Sequence, residues 1–113
     1  MDNKIIICFS TIPSRIKDLE PVIQSLLNQT LRPDKIYINV PIKYKRFSEK
    51  FIEPEYLRKY EKVKVFYLDE DYGPGTKFIG ALLNKEISEN DYVFITDDDV
   101  KKRKYWLNIL FKK

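Results

Sequence analysis

Three adjacent carboxylates, Asp97-Asp98-Asp99, end the apolar run Val93-Phe94-Ile95-Thr96 and form the densest chemistry in this sequence. Neighbouring like charges repel and cost stability unless a cation neutralises them. Alternate residues of an extended segment point to the same side, so Asp97 and Asp99 can converge on one ion. Carboxylate oxygens are hard ligands that suit Mn²⁺ or Mg²⁺, with diphosphate oxygens and waters completing the shell. A helix cap or a solvated turn would use only one of the three. Asp97 and Asp99 are therefore candidate metal ligands.

A second cluster, Gly73-Pro74-Gly75-Thr76-Lys77, opens an amphipathic stretch with Phe78, Ile79, Leu82 and Leu83 at helical spacing. Glycines let backbone approach a ligand closely, and the free N–H groups of a helix start suit phosphate. Lys77 adds a full charge, and Thr76 can cap the helix. The stretch lacks the glycine–lysine spacing of a P-loop. Taken alone it reads as a Gly-Pro turn with a Thr cap; its company with the aspartates gives it the phosphate role. The third cluster, Thr11-Ile12-Pro13-Ser14-Arg15, follows the first apolar run. Its hydroxyls and backbone can hold a base and ribose with Arg15 near a diphosphate, or it can be a loop with Ser14 as a helix cap. The stretch Lys43-Tyr44-Lys45-Arg46 mixes cations with one aromatic, as in nucleic-acid contacts, but it is short and reads as a solvated loop.

The sequence has no histidine, which removes histidine bases, histidine metal ligands and Ser-His or Cys-His dyads. Chemistry must rest on carboxylates, lysines, hydroxyls or a metal. The single cysteine, Cys8, lies in Ile5-Ile6-Ile7-Cys8-Phe9 and reads as a buried structural thiol. A net charge of +4, from 21 basic and 17 acidic residues, is a weak pointer to an anionic partner. No apolar run reaches the length of a membrane span, and the five-residue run near the N-terminus is too short for a signal peptide. A cytoplasmic location is expected.

The elements that must position these clusters alternate. Lys4 to Phe9 reads as a strand buried on both faces. A helical pattern follows through Ile16, Leu19, Val22, Ile23, Leu26 and Leu27, with Pro21 either starting or kinking it. Lys35 to Val40 and Val63 to Leu68 read as strands, separated by the long basic loop Pro41 to Pro54 and a short helix opened by Pro54. A helix is expected from Thr76 to about Lys85, a fourth strand over Tyr92 to Thr96, and a last helix carrying Tyr105, Trp106, Ile109 and Leu110. This alternation predicts a three-layer α/β/α domain with a mainly parallel sheet. Ligands in such folds bind beyond the carboxyl ends of the strands. The polar clusters fall there: Thr11 to Arg15, Asn39, Asp69 to Asp71, and Asp97 to Asp99. One domain spans residues 1–113.

These stretches together resemble the GT-A nucleotide-diphospho-sugar transferases, family-2-like enzymes in particular. Ser10-Thr11-Ile12-Pro13-Ser14-Arg15 is similar to the loop after their first strand, and Ser25-Leu26-Leu27-Asn28-Gln29-Thr30 to the end of their first helix. Gly73-Pro74-Gly75-Thr76-Lys77 is similar to their glycine-rich helix start, and Ile95-Thr96-Asp97-Asp98-Asp99 to their Asp-x-Asp motif. The resemblance covers nearly the whole chain. It implies a Rossmann-like nucleotide-sugar-binding half and a glycosyltransferase of the hexosyltransferase type. The donor would be a nucleotide-diphosphate sugar such as a UDP-sugar, with Mn²⁺ or Mg²⁺ as cofactor and a sugar, glycan or other hydroxyl acceptor. Carried over, the donor contacts are Thr11, Pro13, Arg15, Asn39, Asp69, Gly73, Gly75, Lys77, Asp97 and Asp98, and the metal ligands Asp97 and Asp99. Asn39 or Asp69 stands in for the acidic residue with which many relatives read the base after the second strand. The expected acceptor-binding half, with its general base, is not visible after Asp99. A non-catalytic nucleotide-sugar-binding module is the first alternative and a basic nucleic-acid-binding domain the second, the latter disfavoured because no aromatic stacking motif is present.

Overall fold

A computed structural model describes residues 3–99 and 101–111. Four strands form one all-parallel sheet in the order β3-β2-β1-β4: β1 (Ile5–Phe9), β2 (Lys35–Pro41), β3 (Val63–Leu68) and β4 (Tyr92–Ile95). The helices are α1 (Pro13–Ile16), α2 (Glu20–Leu27), α3 (Thr76–Leu83) and α4 (Trp106–Phe111), with 3₁₀ turns at Glu55–Lys59 and Gly73–Gly75. No helix among the described residues is long and apolar enough to cross a membrane.

Successive residues of a strand face opposite sides, and the two sides of β1 carry different cores. Ile7 and Phe9 join Ile36, Ile38 and Val40 of β2 against Val22, Ile23 and Leu26 of α2 and Leu107 of α4. Ile6 and Cys8 join Tyr37 on the other side, under Ala81 of α3, with Val93 and Ile95 of β4. The helices thus cover both faces, which gives the expected layering and explains why β1 is apolar at every position. The register Cys8↔Ile95 and Phe9↔Ile38 brings the ends of β1, β2 and β4 to one edge.

The helical pattern after β1 is two helices, not one. The chain turns at Lys17–Leu19, and Pro21 sits in the first turn of α2, where its missing N–H costs nothing. Thr76 does not cap α3 in the expected way: its Oγ1 accepts a hydrogen bond from the Tyr72 N–H at 3.2 Å, and Gly75 holds the cap position. α3 ends at Leu83, and α4 begins at Trp106. That gap separates α4 from the aspartates, so none of Asp97, Asp98 or Asp99 caps it.

Candidate functional site

In the order β3-β2-β1-β4 the chain moves outward from β1 to β3 and then crosses back to the far side of β1. Open α/β sheets bind ligands at the carboxyl edge beside such a reversal. A cleft of about 250 Å³ opens there. Its walls come from five places: Ser10, Thr11, Ile12 and Arg15 after β1; Pro41 at the end of β2; Tyr44, Arg46 and Phe47 from the long loop; Asp71, Gly73, Pro74, Thr76 and Lys77 at the start of α3; and Asp97 and Asp98 after β4.

The aspartates are held in place by the ladder below them. Thr96 N–H donates to the Cys8 carbonyl at 3.0 Å, which extends the β1–β4 pairing one step beyond β4. Asp98 turns inward and is 5% exposed, its Oδ2 accepting from Arg15 Nε at 2.9 Å. Asp97 has a side chain 65% exposed and accepts from Lys77 Nζ. That hydrogen bond, with the Lys77 charge, holds the Asp97 carboxyl below the usual carboxylate range. The repulsion expected within the cluster is therefore relieved in the structure by two cations of the chain itself. Asp99 is exposed and outside the cleft lining.

The segment after the aspartates is tied down by the stretch that ends α2. Gln29 is buried; its Nε2 donates to the carbonyls of Ser25 and Arg103, and its Oε1 accepts from the Leu107 N–H, each at 2.8 Å. Ser25 Oγ accepts from Lys102 N–H at 2.9 Å, and Thr30 N–H donates to the Lys104 carbonyl at 2.8 Å. Ser25, Gln29 and Thr30 thus clamp the chain that runs from the carboxylate loop into α4.

Several expected contacts take other roles. Asn39 is 0% exposed beneath α3, and its Nδ2 donates to the Lys77 carbonyl at 3.2 Å. It positions the residue that meets Asp97 and does not line the cleft. Asp69 is exposed outside the cleft, and Asp71, two residues on, lines it. Partial burial pushes the Asp71 carboxyl up, but the N–H groups of Lys45 and Gly73, helped by the charges of Lys45 and Arg46, outweigh it and leave the group below its usual range. Pro13 starts α1 and Gly75 ends the 3₁₀ turn, both outside the lining; Gly73, at φ +59°, supplies the left-handed turn beside Pro74. Thr11, Arg15, Gly73, Lys77, Asp97 and Asp98 do come together as expected. Tyr44 and Arg46, expected in a solvated loop, line the cleft together with Phe47, because a short cationic stretch with few apolar residues looks the same whether it faces solvent or a cleft. Phe47 directly after the cations was the available signal.

Thr11 Oγ1 is buried at the cleft wall without a hydrogen-bond partner among the described residues. A buried hydroxyl left unpaired costs free energy that a ligand's polar group can recover. The donor set also fits a hard divalent cation in part. Asp97 offers an exposed carboxylate, and no three carboxylate or thiolate side chains converge among the described residues. A cation here would draw most of its shell from a bound diphosphate and water. The arrangement as a whole pairs cationic donors, a helix start and an unpaired hydroxyl with an aromatic flank. Comparison of the chain with known protein families, with curated proteins and with solved structures finds no match.

Proposed function

We propose that this chain binds a nucleotide-diphosphate sugar and serves as the donor-binding part of a metal-dependent glycosyltransferase. The observation that carries the reading is the meeting of four separate stretches — the β1 loop, the start of α3, the β4 aspartates and the long loop — in one cleft at the sheet's reversal point. Lys77 and Arg15 offer charge to a diphosphate, and the N–H groups opening α3 add a partial positive charge. Thr11 offers a hydroxyl to a ribose or base edge. Mn²⁺ or Mg²⁺ bound beside Asp97 would act as a Lewis acid on the departing nucleoside diphosphate. Asp97 and Asp98 orient Lys77 and Arg15 beside the place of the diphosphate.

A second reading, binding without turnover, is favoured by one observation: both carboxylates in the cleft end after β4 already hold cations and neither is poised as a free base. Calorimetry with UDP, GDP, ADP and the corresponding nucleotide sugars, with Mn²⁺ or with chelator, tests the binding. At least one nucleoside diphosphate should bind at least tenfold more tightly with Mn²⁺. Equal affinity in chelator removes the metal from the reading, and no binding by any of them overturns it. Release of free sugar, or its transfer to an added acceptor, then separates a transferase from a binding module.

A further inference from the structure

Within residues 42–53, Tyr44, Arg46 and Phe47 form one wall of the cleft. The loop is fastened there at several points. Tyr44 is buried, and its hydroxyl donates to the Thr11 carbonyl at 2.9 Å. The Lys45 N–H donates to Asp71 Oδ2 at 2.9 Å, while Asp71 Oδ1 accepts from the Gly73 N–H at 2.8 Å. One carboxylate thus joins the loop to the turn that opens α3, and one tyrosine joins it to the tip of β1. Phe47 comes next. It packs in part on the main core, with Tyr44 edge-on to its ring at 5.9 Å and 67°, and it also lines the cleft. The Arg46 guanidinium stands 5.5 Å from the Phe47 ring centroid.

The charges of the cleft divide accordingly. Arg15 and Lys77 are engaged by Asp98 and Asp97, whereas Arg46 is in no ion pair among the described residues. The lining therefore combines paired charges with an aromatic ring, a proline and a guanidinium that is in no ion pair among the described residues. A ligand that matches both has an anionic group and a flat ring.

We propose that Phe47 and Arg46 seat the heterocyclic base of the bound nucleotide, and so make residues 42–53 the base-recognition element of the site. The inference rests on the reading that the cleft takes a nucleoside diphosphate. The base stacks on the Phe47 ring or on the guanidinium plane above it, since both present flat faces to a π-system. The diphosphate then extends toward Lys77 and Arg15. Tyr44 and Asp71 are positioning residues: they hold the loop, and with it the ring, against the tip of β1. If Phe47 served the core alone, its loss would lower stability without distinguishing ligands that carry a base from those that do not.

The test is calorimetry on the full chain with UDP, GDP, ADP and inorganic pyrophosphate, each with Mn²⁺. Phe47→Leu keeps apolar bulk and removes the ring; Arg46→Gln removes the guanidinium at the surface and carries the test if Phe47→Leu does not fold. Each variant should weaken the best nucleoside diphosphate by about tenfold, the scale of one lost base-stacking contact, and leave pyrophosphate within about twofold. Circular dichroism confirms that the variants are folded. Nucleoside diphosphate affinity unchanged in both overturns the proposal, as does an equal loss for pyrophosphate. A parent that binds pyrophosphate but no better with a base attached also overturns it, while leaving the diphosphate site standing. A parent that binds none of the four overturns the proposed function itself and this inference with it.

Discussion

Arg15 and Lys77 meet their carboxylates in different surroundings, and the surroundings decide what each substitution does. Arg15 reaches from the surface to a nearly buried partner, since Asp98 is 5% exposed while the Arg15 side chain is 51% exposed. Arg15→Ala leaves a buried carboxylate without its cation, which should cost about 1–3 kcal/mol of stability. Asp98→Asn in the same chain should return most of that loss, because a neutral amide needs no counter-charge. Lys77→Ala removes a pair whose other member is mostly in water, so it should cost about 0–1 kcal/mol. Urea denaturation of the four proteins checks the ordering; a Lys77→Ala loss as large as that of Arg15→Ala would contradict it. On the proposed function, both single variants also weaken nucleoside diphosphate more than bare nucleoside, by about 1.5–3 kcal/mol in binding. Calorimetry with UDP and uridine measures that difference.

Among the elements, α3 is placed by one close approach. Gly80 lies over the fully buried Asn39 of β2, and a Cβ built at Gly80 would stand 2.4 Å from Asn39 Cγ and 2.6 Å from its Cβ. The glycine lets the helix settle onto the strand, and the same asparagine donates to the Lys77 carbonyl in the first turn. The distance between α3 and β2 therefore sets where Lys77 stands relative to Asp97. Gly80→Ala has no cheap escape, since the obstacle is the root of a packed side chain. It should destabilise the protein by about 1–3 kcal/mol and, on the proposed function, weaken nucleoside diphosphate binding by displacing Lys77. Asn39→Ala loses the bond to α3 but removes the Cγ and Nδ2 obstacles, leaving the Cβ, so it relieves part of the clash. The double variant Gly80→Ala with Asn39→Ala should accordingly be more stable than the sum of the single losses predicts. Thermal melts of the three variants read this coupling, and strict additivity would show that the two residues do not compete for one space.

At the scale of the molecule, β1 is the central axis, flanked by β2 and β4 and covered on both faces. Cys8 lies in its middle at 0% exposure, and burial pushes its thiol up to about 11, tempered by a hydrogen bond with Asn39. The thiol lies under α3 and its strand is flanked by β2 and β4. Modification of Cys8 by a thiol reagent at pH 8 should therefore proceed only through unfolding that removes these neighbours, and its rate should rise with urea in step with the loss of circular dichroism. Rapid labelling of the native protein in buffer would show that β1 opens by itself. By contrast the β4 edge and α4 leave Tyr92, Ile109 and Phe111 partly exposed.

Local pattern was enough to determine the strands, the parallel layering and the clusters at the strand ends. Each depends on neighbours in the chain: an unbroken apolar run such as Ile5–Phe9 must be buried on both faces, and a chain alternating such runs with amphipathic helices must cover them on both sides. Thr11, Arg15, Lys77, Asp97 and Asp98 were legible for the same reason, since each immediately follows a strand or opens a helix. What the tertiary structure decided was which side each polar group faces and what it meets. Asn39 went under α3 and not into the cleft because the strand's pleat turned it toward Gly80. Asp71 entered where Asp69 was expected because the chain turns again at Gly73. Arg46 and Phe47 became a wall of the cleft because Tyr44 and Asp71 pull a loop across it, using partners 33 and 26 residues away from the atoms they bind. No short-range periodicity encodes such pairings; they exist only once the sheet has brought the ends of β1, β2 and β4 to one edge.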